Sequence, residues 1–207
     1  MKNAAKFWDR WAKRYAKSKM ANPELYQRKI DKTIEALPAD AVILEMGCGT
    51  GSTALKLAPH VSHVDASDFS GEMINIARGK AKDGGVNNVQ FEQQGVTDYL
   101  NGSPKYDAVL AHSVMHLMED YSQAITAAHT TLKPNGLFIS TTACLGDTAF
   151  WLKAIAPIGH LVGLLPYVAM IKQDDFLRSI EAQGFDIEYT LRENGADALF
   201  VMARKRA

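Results

Sequence analysis

The chain has 207 residues, of which 47% are hydrophobic, and this length fits one globular domain with a sizeable core. Its 23 basic and 23 acidic side chains give a formal net charge of zero, which argues against a general nucleic-acid surface, where a basic excess is expected. Two cysteines predict no disulfide framework, and the N-terminal residues lack the apolar run of a signal peptide, so we expect a cytoplasmic protein.

Residues 1–38 predict two helices. An amphipathic pattern with recurring aromatic residues runs over 3–18, and Pro23 is typical of the first turn of a second helix that Pro38 ends. The simplest interpretation is that these helices pack against the domain. The alternative is a lid that brings Tyr15 or Tyr26 to the reacting atoms of a substrate.

A glycine-rich turn follows the first predicted strand. Residues 41–46 are apolar except for Glu45, which is typical of a buried strand in a parallel sheet. The turn Gly47–Gly51 has glycine at alternate positions, and Thr50 or Ser52 could cap the helix that follows. A strand, a glycine turn and a helix N-terminus present backbone N–H groups to a ligand, so we predict a nucleotide-type binding turn.

The spacing within this turn separates the kinds of nucleotide. Dinucleotide-binding turns follow G-x-G-x-x-G/A, but Ser52 stands where the third small residue belongs. No lysine follows, which excludes a phosphate-binding P-loop. A nicotinamide-dependent oxidoreductase is therefore a disfavoured alternative.

A second predicted strand, residues 61–68, ends in an acid. Asp68 lies 19 positions beyond Gly49, and a carboxylate at the end of the second strand can accept both ribose hydroxyl protons. Asp65 is the rival, but it falls inside the strand, where a solvated or capping role is the better interpretation. Ser70 is the predicted N-cap of the next helix.

The later segments predict a continued alternation of strands and helices. Predicted strands cover 88–93, 105–112 and 137–142, with helices over 119–132 and 174–183; two final strands, 185–191 and 198–204, flank the hairpin signal Asn194-Gly195. Residues 146–172 interrupt this alternation. They are apolar but broken by proline and glycine, so we interpret them as a cap over a pocket, with contact to a membrane surface as the alternative and no stable insertion.

Several of these runs resemble motifs of one enzyme family. Glu45-x-Gly47-x-Gly49-x-Gly51 resembles motif I of class I S-adenosylmethionine-dependent methyltransferases, of the small-molecule group that includes the ubiquinone and menaquinone methylases. Residues 69–73 resemble the following segment, with Gly71 in place of proline, and 106–109 and 132–136 resemble later family strands and turns. The resemblance implies a Rossmann-like α/β sandwich with a seven-stranded, mostly parallel sheet, an antiparallel C-terminal strand and helices on both faces, all in one domain over 1–207.

The resemblance also implies a cofactor, S-adenosylmethionine, and a product, S-adenosylhomocysteine. The family usually holds adenine with an acid after the third strand, but Gly95 and Val96 stand there and Asp98 comes late, so we expect backbone groups near Val96 and Thr97 to serve instead. The implied cofactor-binding residues are Glu45, Gly47, Cys48, Gly49, Thr50, Gly51, Asp68, Phe69, Ser70, Met73, Val96, Thr97, Ala111, His112 and Ser113.

Methyl transfer from a sulfonium is an in-line displacement, in which orientation supplies roughly 7–11 kcal/mol and a general base a further factor of about 10²–10⁴. The candidate catalytic residues are His116, His112 and Tyr15, and His116 is equally suited to fixing its loop. The candidate substrate-binding residues are Tyr15, Tyr26, Trp151 and Tyr167, and no metal cluster is expected.

The acceptor is inferred by exclusion. The segment after the fourth strand lacks the Asn/Asp-Pro-Pro-aromatic signature of amino-methylating nucleic-acid enzymes, and the paired glutamates of protein-arginine methylation are absent. The apolar cap favours a small, lipophilic acceptor methylated on oxygen, nitrogen or carbon, although these residues could simply pack the cap on the sheet. A non-catalytic module that binds S-adenosylmethionine is the second alternative, and the oligomeric state is left open.

Overall fold

The computed structural model describes residues 2–103, 105–148, 165–192 and 198–207. Seven strands in these residues form one sheet in the order β3-β2-β1-β4-β5-β7-β6. The strands are β1 Val42–Met46, β2 His63–Asp68, β3 Val89–Gln93, β4 Tyr106–His112, β5 Leu132–Ala143, β6 Phe185–Leu191 and β7 Ala198–Lys205. Pairs from β3 to β5 are parallel, whereas β7 runs antiparallel to both β5 and β6.

Helices cover both faces of the sheet. They are α1 Lys2–Lys17, α2 Pro23–Ala36, α3 Ser52–Leu57, α4 Gly71–Asp83, α5 Ser122–Thr131, α6 Leu145–Thr148 and α7 Gln173–Ala182. One apolar cluster joins one sheet face to α5 and α7, and a second joins the other face to α2, α3 and α4. The expected Rossmann-like sandwich with an antiparallel C-terminal strand is confirmed.

Local sequence signals explain where α2, α4 and α5 begin. The Asn22 side chain accepts a hydrogen bond from the Leu25 N–H at 2.9 Å, and Ser70 Oγ accepts one from the Met73 N–H at 3.2 Å, so both helices carry side-chain caps. Helix α5 begins at Ser122, later than the pattern predicts, because the Asp120 carboxylate accepts the Ser122 N–H at 3.0 Å.

The predicted cap of α3 is wrong. Gly51 is the N-cap residue, with φ 74°, and no side chain bonds to the first turn. The hydroxyls of Thr50 and Ser52 instead lie 2.8 and 3.3 Å from Lys80 Nζ. The Lys80 ammonium of α4 therefore donates hydrogen bonds to the two hydroxyl oxygens that were predicted to cap α3.

The later boundaries follow the expected turns. Asn135 has φ 61°, a conformation that asparagine tolerates, and β5 already begins at Leu132, before the predicted start at residue 137. The two final strands pair as predicted. Their hairpin residues, Asn194-Gly195, lie outside the described residues.

The strand order fixes where a ligand can bind. Strand β1 lies between β2 and β4. The chain adds β2 and β3 on one side of β1 and then β4 and β5 on the other, and at such a reversal a ligand crevice opens beyond the carboxyl ends of the strands. The glycine turn and Asp68 both lie at that end. Among the described helices, none combines the length and apolarity that a membrane crossing requires.

Candidate active site

The turn after β1 needs glycine for steric reasons. Gly47 and Gly51 have φ of 72° and 74°, and a Cβ at either would lie 2.7 Å from a carbon of Val114 or Phe91. Gly49 is different, because its φ is 53° but the nearest atom to such a Cβ is Tyr15 Cε1 at 3.8 Å. The turn is thus packed against the sheet on two sides and covered by a helix on the third.

Cys48 lies within this turn and is buried. Its Sγ lies 3.7 Å from the Gly49 carbonyl oxygen, and burial raises the pKa of the thiol well above its usual value. The Cys48 thiol is therefore neutral near pH 7.

Asp68 ends β2 and faces the glycine turn. Its Oδ2 accepts the Gly49 N–H at 3.0 Å, and its Oδ1 accepts the Ser70 N–H at 2.9 Å. Burial raises its pKa, the two N–H groups oppose that rise, and the nearby Asp9 carboxylate adds to it. A carboxylate oxygen has more than one acceptor site, so each oxygen retains capacity for a hydroxyl donor.

The rival acid, Asp65, is fully occupied elsewhere. Its Oδ1 lies 3.0 Å from His63 Nε2, and its Oδ2 accepts hydrogen bonds from Lys105 Nζ and Tyr106 Oη at 2.8 Å each. Although burial alone would raise it, these partners lower the pKa of Asp65. Asp65 lines a separate polar cavity of about 130 Å³ and is part of an ion-pair network.

Glu45 is the buried acid of β1, with 2% of its surface exposed. Burial raises its pKa to about 8, against hydrogen bonds from the Ala54 backbone and the Thr53 side chain. Its Oε2 has no partner among the described residues. Thr53 Oγ1 also lies 3.1 Å from Tyr26 Oη, which connects α2 to this acid. A buried carboxyl group with one unsatisfied oxygen is suited to ionise against a cationic group of a ligand.

Helix α1 lies over the crevice. Asp9 Oδ1 accepts hydrogen bonds from Ser70 Oγ at 2.6 Å and from the Glu72 N–H at 3.2 Å, so α1 is attached to the N-terminus of α4. Tyr15 lies two turns further along, above Gly49, and its pKa is raised first by burial and then by Glu45 and Asp68. Sequence reasoning missed Asp9, although it is the one acid in a helix with six basic residues, which was a usable signal.

The end of β4 has a strained backbone beside a half-buried histidine. Ser113 has φ 56° and donates its N–H to the Thr141 carbonyl at 2.7 Å. His112 stacks on Phe200 with a centroid distance of 6.3 Å, and its Nδ1 lies 3.0 Å from Thr141 Oγ1. Burial, and secondarily Lys29, lowers the pKa of His112 to about 4, so the ring is neutral near pH 7.

His116 serves its own loop in this structure. Its Nδ1 accepts the Ala143 N–H at 3.4 Å, and its carbonyl accepts the Ala169 N–H at 2.7 Å. Burial lowers its pKa to about 4. In a neutral ring whose Nδ1 is an acceptor, Nε2 carries the proton, so this ring has no free basic nitrogen.

The loop after β3 is organised by Asp98. Its Oδ2 accepts the Gly95 N–H at 2.8 Å and begins a short 3-10 turn over Val96–Tyr99. Val96 is buried and Thr97 is partly exposed. Asp98 is therefore engaged in its own turn, while Gln93 Nε2 donates to the Phe69 carbonyl at 3.2 Å across the neighbouring strand end.

The predicted substrate residues are only partly described. Tyr26 is half-buried beside Thr53, and Tyr167 lies in the described part of the cap, two residues from the Ala169 contact with His116. Trp151 and residues 149–164 of the cap lie outside the described residues. Within the described ranges, no group of three or more His, Cys, Asp and Glu side chains could hold a metal ion.

Sequence comparison links this geometry to known proteins. Residues 43–136 match a family model described as a methyltransferase domain. A ubiquinone biosynthesis O-methyltransferase of Xylella fastidiosa is 30% identical over 156 residues, 74% of this chain and 62% of that protein, and one of Serratia proteamaculans is 28% identical over 156 residues, 74% and 63%. The chain spans less than two thirds of the length of these curated relatives.

Solved structures give the same fold. The magnesium protoporphyrin IX methyltransferase of Synechocystis, solved with bound S-adenosylhomocysteine, superposes with a TM-score of 0.72 at 21% identity, covering 96% of this chain and 93% of that one. The YcgJ protein of Bacillus subtilis superposes with the same score at 16% identity, covering 87% and 99%. At these identities the chain shares the fold of both proteins.

Proposed function

We propose that the chain carries a class I S-adenosylmethionine-dependent methyltransferase domain and that it methylates a small, lipophilic acceptor. One observation carries the proposal: the glycine turn, the Asp68 carboxylate and the unsatisfied Glu45 oxygen meet at the carboxyl ends of β1 and β2. A ligand with a sugar diol and a cationic amino group would meet complementary groups there: Asp68 for the diol, Glu45 for the amino group, and the backbone of the glycine turn for the chain between them. We further propose that residues 1–207 act as one domain.

Residues at the carboxyl ends of the strands would hold the cofactor. Asp68 would accept the ribose hydroxyls, because its carboxylate lies beside the Gly49 N–H at the end of β2 and each oxygen keeps a further acceptor site. Glu45 would accept the methionine ammonium through Oε2, which lacks a protein partner in the described residues. Phe69, Met73, Val96 and Thr97 would surround the adenine, and Ala111–Ser113 would line the sulfonium end.

When bound, S-adenosylmethionine supplies an electrophilic methyl carbon. The contribution of the chain is to orient the acceptor in line with that carbon and to remove a proton where the acceptor carries one. We assign the base to His112 in preference to His116. The pKa near 4 keeps His112 neutral, and Nδ1–H donation to Thr141 would leave Nε2 as an acceptor, whereas His116 uses Nδ1 within its loop.

Tyr15 has a different role in this proposal. Its raised pKa keeps the phenol protonated near pH 7, so it acts as a hydrogen-bond donor and a wall of the site, with Tyr26 behind it. Tyr167 and Trp151 would supply the acceptor side. The relatives are named for O-methylation in ubiquinone biosynthesis, which makes alkylated phenols the first acceptors to test, with nitrogen and carbon acceptors next.

Calorimetry with S-adenosylmethionine, S-adenosylhomocysteine and NAD tests the site. We expect saturable binding of the first two, weakened at least tenfold by Asp68→Asn, because a charged acceptor for two hydroxyls is lost. Asp65→Asn is the matched control, since it removes an acid three residues earlier on the same strand and should leave affinity unchanged. Binding of NAD alone, or equal losses in both variants, would contradict the assignment.

Turnover is measured separately, with a panel of alkylated phenols, amines and activated carbon acids. Methyl transfer to one of these classes supports the enzyme. Tight cofactor binding with no product across the panel would leave the non-catalytic cofactor-binding module as the better description.

A further inference from the structure

We propose that the outward face of α1 docks this protein on an anionic membrane surface. This inference does not depend on methyl transfer. Helix α1 contains six of the 23 basic residues of the chain and one of its 23 acidic residues. Because the whole chain is formally neutral, the remainder carries a net negative charge, and α1 is the positive pole of the molecule.

The basic residues of α1 are segregated on one side of the helix. At about 100° per residue they fall within an arc of about 120°. They are Lys2, Lys6, Arg10, Lys13, Arg14 and Lys17. The five from Lys6 onward are exposed, and none of them forms an ion pair with a described residue. Their charge is therefore available to an outside partner.

The inner side of α1 packs against the rest of the domain. Ala12 is fully buried, and the Asp9 carboxylate is bonded to Ser70 and to the Glu72 N–H of α4. The helix is thus held with its basic face outward. A surface that attracts this face would orient the whole domain.

Two aromatic side chains border the basic face. Phe7 and Trp11 are only half-buried and stack at 5.9 Å, and the Arg14 guanidinium lies 4.8 Å above the Trp11 ring. Aromatic rings beside a row of lysine and arginine are typical of helices that lie at a lipid headgroup layer. The apolar centre of α1 faces the protein, so contact would be with headgroups and would be sensitive to salt.

Charge complementarity favours a membrane over the other polyanions. A nucleic acid would extend beyond one helix face onto the rest of a chain that is net negative, and it would be repelled there. An acidic protein would require a shaped pocket, whereas α1 presents a single convex face. A planar anionic surface needs only the face that is present.

Cosedimentation with lipid vesicles tests the proposal. The full chain is mixed with phosphatidylcholine vesicles and with vesicles of phosphatidylcholine and phosphatidylglycerol. We expect binding only to the anionic vesicles and its loss at high salt. Each lysine near the surface is worth about fivefold in partitioning, so Lys6→Gln/Lys13→Gln/Lys17→Gln should weaken it roughly a hundredfold.

The matched control is Lys56→Gln/Lys82→Gln/Lys172→Gln, which removes the same charge from exposed lysines outside α1 and should bind within about twofold of the parent. All six side chains are exposed, and melting curves verify that both variants fold. Equal binding to neutral and anionic vesicles, equal losses in the two variants, or preferential binding of an RNA oligonucleotide would each overturn the proposal. Cofactor affinity is unaffected in every outcome, which separates this test from that of the proposed function.

Discussion

The variant Glu45→Gln tests whether the buried Glu45 carboxyl group, which we assign to ligand binding, lowers the stability of the folded chain. Burial raises the pKa of Glu45 from 4.5 to about 8, so between these values the folded chain keeps a proton that the unfolded chain has lost. The free energy of unfolding must therefore fall as pH rises through this window. At 1.36 kcal/mol per pH unit, the full cost above pH 8 is roughly 5 kcal/mol, and about 3 kcal/mol has accumulated by pH 7.

Glutamine has nearly the same shape as glutamate, but its side chain does not titrate. We expect Glu45→Gln to match the parent below pH 4.5 and to be more stable by about 3 kcal/mol at pH 7. Denaturant unfolding at a series of pH values measures this directly. Parallel curves for the two proteins, with no divergence above pH 5, would refute the buried, protonated state of Glu45.

The same change should reappear in cofactor binding. If Glu45 must ionise to pair with the methionine ammonium, binding at pH 7 releases about 0.9 proton from a group with pKa 8. Calorimetry in buffers of different ionisation enthalpy gives this number as a slope. Glu45→Gln should abolish the slope and weaken affinity about tenfold to a hundredfold. An identical slope in both proteins would place the ammonium elsewhere.

Three further predictions concern the turn, the covering helix and the base. Gly51→Ala should destabilise the fold by about 1–3 kcal/mol, because its φ is positive and a Cβ has no room, whereas Gly79→Ala, where nothing lies within 4 Å, should stabilise α4 by about 0.5–1 kcal/mol in denaturant melts. Asp9→Asn should speed release of S-adenosylhomocysteine in stopped-flow measurements, because α1 loses its charged attachment, and an unchanged rate would show that α1 does not cover the site. His112→Ala should lower kcat by about 10²–10⁴ for an acceptor that loses a proton, with KM little changed, and full activity would remove it as the base.

Local signals carried most of the sequence prediction. The strand before the glycine turn, the helix that starts at Pro23 and the Ser70 cap follow from short-range patterns, and the structure contains each of them. The parallel order of strands follows from their alternation with helices. Asp68 lies at the expected end of β2, but its ribose contact stays a prediction.

Long-range contacts account for what could not be predicted. Thr50 and Ser52 look like caps locally, and only the fold brings Lys80 from α4 to their hydroxyls. The Ala143 N–H that occupies His116 Nδ1 comes from a strand end 27 positions away. The pKa of Glu45 depends on burial between elements that a sequence pattern cannot bring together. The role of Trp151 and of cap residues 149–164 stays a prediction.

The Ser70 hydroxyl links two properties that are usually separable. It accepts the Met73 N–H as the cap of α4 and donates to Asp9 of the covering helix, while the backbone N–H of the same residue holds Asp68. A side-chain substitution at Ser70 would therefore change helix stability and access to the crevice together, and it would keep the N–H that holds Asp68. Protein engineers who wish to tune access alone should leave this serine intact and vary its aspartate partner.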